Sequence, residues 1–211
     1  MEVLITIFFL IILLFSVIIH ELAHGSVAYS LGDPTAKYAG RLTLNPLKHL
    51  DPFGSVILPL LLFLSGSQFL IGWAKPVPIN PYNFKDQKWG PLKVAVSGPA
   101  SNIIVALIFG LLIRFIPSSL FISAPGLFLM FAFTVWINMI LAIFNLLPIP
   151  PLDGSWILFN FLPSKYERVK MFLQQYGLFI LIALIFFGGL SRLGDFTRTI
   201  FYFIAGTPSP F

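Results

Sequence analysis

The chain has 211 residues, which is one domain at roughly 100–200 residues each. Hydrophobic residues make up 57% of it and charged residues 10%, with 24 Phe, whereas a soluble domain carries about 25% charged residues. Soluble, disordered, collagen-like and disulfide-stapled classes are thereby excluded, and an integral membrane protein remains. The net charge of +5 does not imply a nucleic-acid partner, because the basic residues sit in loops between apolar runs, where the positive-inside rule places them. The absence of Cys rules out disulfides and thiol nucleophiles.

The composition and the apolar runs predict an all-α polytopic membrane protein, a single membrane-embedded domain over 1–211. Four runs meet or approach the ~20 residues that cross a bilayer as a helix: about 3–31, 92–116, 127–147 and 171–190. The first begins near Met1 but lacks a basic leader and a small-residue cleavage site, so it reads as an uncleaved span rather than a signal peptide. Thr35 to Leu44 alternates, though weakly, enough to suggest an edge strand to which an unwound peptide could add, and a small membrane-associated β-hairpin or sheet is expected. The run at about 56–73 is broken by Pro59 and Ser65-Gly66-Ser67 and reads as a re-entrant segment, which is tolerated where protein or a water-filled cavity surrounds it. Phe196 to Ala205 is too short to span and reads as a C-terminal interfacial segment. Trp73 and Trp89 read as interface anchors. Lys37, Arg41, Lys48, Lys75, Lys85, Lys88, Lys93, Lys165, Arg168 and Lys170 are ten of the 13 basic residues. Placed in the cytoplasm, they make the four spans alternate in direction.

The chemistry concentrates in His20-Glu21-Leu22-Ala23-His24. Residues four apart share a helix face, so both imidazoles can reach one metal ion. Glu21 lies beside them, where it can accept a proton from water at that ion. Ionisable side chains inside a span are costly and are by default functional, and a shared metal accounts for all three. A catalytic zinc site usually has three protein ligands, and among the few acidic residues Asp153 is the best placed. It follows the third span in Asn145-Leu-Leu-Pro-Ile-Pro-Pro-Leu-Asp153-Gly154, and its alternative is an N-cap for a helix from Ser155. Ser97-Gly98-Pro99-Ala100-Ser101-Asn102 opens the second span. Its small residues permit close helix contact. Asn102 can meet a substrate carbonyl or serve as interhelical glue, and Asn138 reads as packing. His49 and Asp51 follow the first span and form a rival metal site, a second layer or gate around the histidines, or a solvated loop. His24 lies some seven residues before the end of its span, which puts a metal roughly 10–15 Å below the cytoplasmic surface.

HELAH, SGPASN and NLLPIPPLDG, in that order over about 16–160, resemble the site-2 protease family of intramembrane zinc metalloproteases. Gly72 to Pro81 resembles its compact bacterial and archaeal branch. The resemblance implies His20, His24 and Asp153 as ligands of one zinc per chain, Glu21 as catalytic acid/base, and Asn102 and Asn145 as active-site polar groups. It implies a membrane-spanning protein substrate cut near the cytoplasmic side of a prokaryotic cell membrane, with the lipid bilayer as surroundings and no nucleic acid. Neither a PDZ nor a CBS domain fits in this chain. The alternative is a metal transporter or non-catalytic metal-binding scaffold. Transporters usually show inverted repeats, and none is visible here.

Overall fold

The computed structural model describes residues 2–65 and 74–211. Its helices, in chain order, are α1 (Glu2–Ser30), α2 (Thr35–Tyr38), α3 (Leu58–Leu64), α4 (Gly90–Phe115), α5 (Ser118–Ser123), α6 (Pro125–Asn145), α7 (Asp153–Phe161), α8 (Glu167–Phe186) and α9 (Gly189–Ala205). Four helical stretches are long and apolar enough to cross a membrane: Ile5–Ser30, Gly90–Phe115, Pro125–Asn145 and Ser164–Phe186. These match the four predicted runs, so the protein is an all-α polytopic membrane protein. Large side chains such as Leu10 on α1, Ile108 on α4 and Phe179 on α8 stay exposed, as helices facing hydrocarbon require.

Helix α4 is the centre of the bundle and touches α1, α6, α7 and α9. The apolar core lies where α4, α6 and α9 meet, around Ala106, Val135, Met139 and Phe201. The apolar C-terminal run is thus part of a 17-residue helix whose Phe201 and Ala205 are buried in this core, rather than a short segment confined to the interface. Arg198 on its exposed side pairs with Asp195.

The predicted strand at Thr35–Leu44 is not formed. Asp33 accepts from the Thr35 amide at 3.1 Å and Pro34 follows, a pairing that starts a helical turn, so Thr35–Tyr38 is helical. Among the described residues the one strand-like pairing is an isolated antiparallel bridge, Leu50 to Ala74. Lys75 N beside it donates to His49 O at 2.9 Å. The chain therefore returns at residue 74 to the place it left at residue 50. A wide π-type turn over Pro52–Ile57 and α3 follow the departure. The rest of the expected re-entrant segment, with Trp73, lies outside the described residues. Trp89 stands just before α4 and meets Phe161 edge-on.

From Ala74 to Asn83 the chain is tied down from both ends. Pro76 and Pro78 fix their own φ and push Lys75 and Val77 towards extended conformations. Buried Arg41 donates through Nη2 to Lys75 O at 2.7 Å and Pro76 O at 3.1 Å. Buried Asp33 accepts from Asn80 N at 2.7 Å and Asn83 Nδ2 at 2.8 Å. Burial works against ionisation of Asp33, but hydrogen bonds from Thr35, Asn83 and Asn80 outweigh it and hold its pKa below the usual carboxylate value. The stabilisation from ionised Asp33 is thus complete above the ordinary value of about 3.9 and is lost as pH falls through the lower native value. Pepsin cleavage near Phe84, normalised to an unstructured peptide, should accelerate only below that ordinary value. Asp33→Asn points an amide nitrogen at these donors, should cost about 1–3 kcal/mol, and should be cleaved fast throughout.

Candidate metal centre

His20 and His24 lie one turn apart on α1 and are 7% and 6% exposed. Their Nε2 atoms are 3.0 Å apart. Asp153 Oδ2 is 3.1 Å from the first and 3.2 Å from the second. On the far side of each ring an acceptor holds Nδ1. Val94 O on α4 takes that of His24 at 2.7 Å, and Asn102 Oδ1 takes that of His20 at 2.6 Å. With the hydrogen on Nδ1, each neutral ring presents a lone pair at Nε2.

With both rings neutral, three electron-pair donors converge at one point, an arrangement suited to a cation. The donor set of two imidazoles and one carboxylate is that of a catalytic zinc site with an open position. Bonds of 2.0–2.2 Å set tetrahedral ligands roughly 3.3 Å apart, a few tenths of an ångström from the spacing seen. A second observation agrees. Gly98 of α4 faces the two rings, and a Cβ there would overlap His24 Nε2 and come within 2.6 Å of His20 Nε2. Glycine leaves the space that an ion needs.

Asp153 reaches this point through the loop after α6. Tight backbone bonds, Ile149 N to Leu147 O at 2.8 Å and Leu152 N to Ile149 O at 3.0 Å, turn the chain back on itself. A Cβ on Gly154 would overlap the carbonyl oxygens of Leu146 and Leu147, so only glycine lets α7 start so close to the end of α6. The N-cap of α7 is Leu152, not Asp153, and the Asp153 carboxylate faces the histidines. Glu21 points beside them, and its Oε2 accepts from Val77 N at 2.8 Å. The two histidines, Glu21, Val77, Asp153 and Asn145 line one cavity of about 400 Å³.

A Bacillus subtilis (strain 168) protein provisionally named zinc metalloprotease YwhC is 39% identical over 181 residues, covering 84% of this chain and 79% of that protein. The chain belongs to peptidase family M50, the site-2 proteases. The profile of Peptidase family M50 itself matches residues 122–184. Proteins provisionally named zinc metalloprotease Rip2 match as well. That of Mycolicibacterium smegmatis (strain ATCC 700084 / mc(2)155) is 31% identical over 85% of this chain, and that of Mycobacterium tuberculosis (strain ATCC 25618 / H37Rv) is 28% identical over 81%. The chain spans 66% and 63% of their respective lengths. No solved structure matches it.

In this M50 metalloprotease the remaining sequence candidates separate. Asn145 is on the cavity wall and donates through Nδ2 to Leu141 O at 2.9 Å. Asn102 is fully buried, lies off the cavity lining and bonds to His20 instead. His49 and Asp51 do not join the metal-ligating group among the described residues. His49 is buried with Nε2 on Thr43 O at 2.8 Å. Asp51 caps the π-type turn, accepting from Phe53 N at 3.1 Å and Gly54 N at 2.7 Å. Sequence reasoning missed Val77 as the partner of Glu21, since a main-chain donor leaves no side-chain signature; its signal was the prolines on either side.

Gly98→Ala should fold but lose most of its zinc, because the added methyl occupies the space between the rings. Metal analysis of the purified variant, beside its helical circular dichroism, checks this.

Proposed function

We propose that this chain hydrolyses peptide bonds of membrane-spanning proteins, near the cytoplasmic side of a prokaryotic cell membrane. The observation that carries the reading is the His20–His24–Asp153 convergence beside Glu21 in one cavity. His20, His24 and Asp153 would hold one zinc ion, which when bound supplies a Lewis acid that activates water and polarises a carbonyl.

The other parts fall to the chain. Glu21 takes the proton from the attacking water and delivers it to the leaving amine, while Val77 N–H holds one of its oxygens and so fixes the direction of the other. Asn145 spends one of its two Nδ2 hydrogens on Leu141 O, and the second is available to a substrate carbonyl. A substrate helix has its carbonyls committed to hydrogen bonds and must unwind locally before attack. The extended stretch from Ala74 to Asn80 along the cavity gives an unwound chain a wall to lie against. The cavity stands at the end of the bundle where α1 and α6 finish and α4 begins, the end whose connections carry ten basic residues. Positive-inside placement puts that end in the cytoplasm. The Leu50–Ala74 bridge brings the chain on either side of the predicted 56–73 run to the same place.

Zinc content and cleavage, measured together, test the reading and separate it from transport. Glu21→Gln should keep about one zinc per chain and lose roughly 10²–10⁴-fold in rate. Asp153→Ala should lose both. Full activity in Glu21→Gln, or full zinc retention in Asp153→Ala, would overturn it. A substrate with Gly, Pro or Asn near the cut should be cleaved faster than its all-Leu counterpart, as gel assays in micelles would show.

A further inference from the structure

One group of buried polar side chains takes no direct part in hydrolysis. Ser16 on α1, Asn102 on α4 and Asn138 on α6 are 3%, 0% and 0% exposed. Polar groups inside a membrane bundle are expensive unless satisfied. These three are satisfied by one another, and the series ends on His20.

The direction of every bond in the series follows from main-chain carbonyls, which can only accept. Asn138 meets Thr134 O at 2.8 Å, so the atom there is its nitrogen, Nδ2. Its oxygen therefore turns the other way, towards Asn102 Nδ2 at 2.8 Å. Asn102 Nδ2 also faces the carbonyl of Ser16 at 3.2 Å, which fixes that amide a second time. The oxygen of Asn102 is left for His20 Nδ1, and an amide oxygen accepts. A neutral His20 then carries its hydrogen on Nδ1 and its lone pair on Nε2. Ser16 Oγ, 2.9 Å from Asn138 Nδ2, accepts alongside Thr134 O.

We propose that Asn138 is a positioning residue for the metal centre: through Asn102 it locks His20 in the Nδ1–H form, so that the ring is set to bind zinc before the ion arrives. The inference rests on the zinc reading above. It assigns different safeguards to the two rings. His24 is fixed directly by Val94 O, which no side-chain substitution removes. His20 is fixed by a relay whose shorter anchor one substitution on another helix removes. Without the acceptor at 138, the Asn102 amide keeps only the longer bond to Ser16 O at 3.2 Å of the two that orient it, and an amide that turns its nitrogen to His20 would move the ring hydrogen to Nε2, where the ion must bind.

The test uses the full chain in micelles at one mildly alkaline pH. Zinc affinity is measured by chelator competition for wild type, Asn138→Leu, Asn138→Asp and the packing control Val135→Ala. Loss of the relay in Asn138→Leu should weaken zinc binding by roughly 10–100-fold, the usual effect of removing a partner behind a metal-bound histidine, and Asn138→Asp, which keeps an acceptor, should stay within about threefold. Val135→Ala should lower thermal stability and leave zinc affinity near wild type. Unchanged affinity in Asn138→Leu, equal losses in the Leu and Asp variants, or a matching loss in Val135→Ala would overturn the proposal.

Ring ¹⁵N spectra of the zinc-free wild type give an answer even where a variant fails to fold. The chain has 3 His. His20 and His24 should carry hydrogen on Nδ1, and His49, whose Nε2 meets Thr43 O, on Nε2. His20 found with hydrogen on Nε2 would refute the relay. A wild type that binds no zinc would refute the metal reading instead, and the spectra would still report on the relay.

Discussion

Two imidazole nitrogens and a carboxylate oxygen converge on one point within 3.2 Å of one another, on the wall of a cavity inside a helix bundle. Such a cluster is self-repelling without a cation, and the cost of an unpaired charge grows as the local dielectric falls. Much of the surrounding sequence reads as a consequence of that point. Gly98 keeps it open, Gly154 and the proline loop bring the carboxylate back to it, and the acceptors behind the rings turn the lone pairs inward.

Helix α4 does this work through a spacing of four. Val94, Gly98 and Asn102 lie on one face of it. Against the antiparallel α1 they meet His24, both rings, and His20 in turn, with Ser16 one step further along. Register between the two helices is thus fixed by polar contacts where the apolar surfaces alone, as greasy as the lipid around them, would specify little. Asn138 extends the same series to α6, so a single polar chain stitches the three central helices and ends on His20.

The spans were legible because a bilayer imposes a length, and 18 or more apolar residues have few other uses. The ligand group was legible because His20 and His24 share a helix face and because so few carboxylates were available to complete it. What failed was local. Thr35–Leu44 alternates in polarity, but Asp33 and Pro34 start a helical turn that alternation does not oppose. The polar residues Ser191 to Asp195 masked the first half of α9, so only its apolar end was visible. Asn102 was recognised as important, but a sequence does not say which way an amide points, and here it points at a histidine and away from the cavity. His49 and Asp51 matched a metal site in type, yet their ring and carboxylate serve turns of the loop that holds them.

The extended segment beside the cavity is held by named polar contacts, and these show what it governs. Arg41 holds it at Lys75 and Pro76, Asp33 holds it at Asn80 and Asn83, and between these stands the bond from Val77 to Glu21. Pro76 and Pro78 have no N–H, so Val77 carries the one main-chain donor of that Pro-Val-Pro stretch, and the proposed base receives it. A carboxylate with one oxygen held has lost most of its torsional freedom, and that loss is already met before a substrate arrives. Displacing the segment would free the carboxylate and surrender that alignment. The orientation of the base is therefore set by the position of a loop, and the loop by charges at Arg41 and Asp33, well outside the cavity.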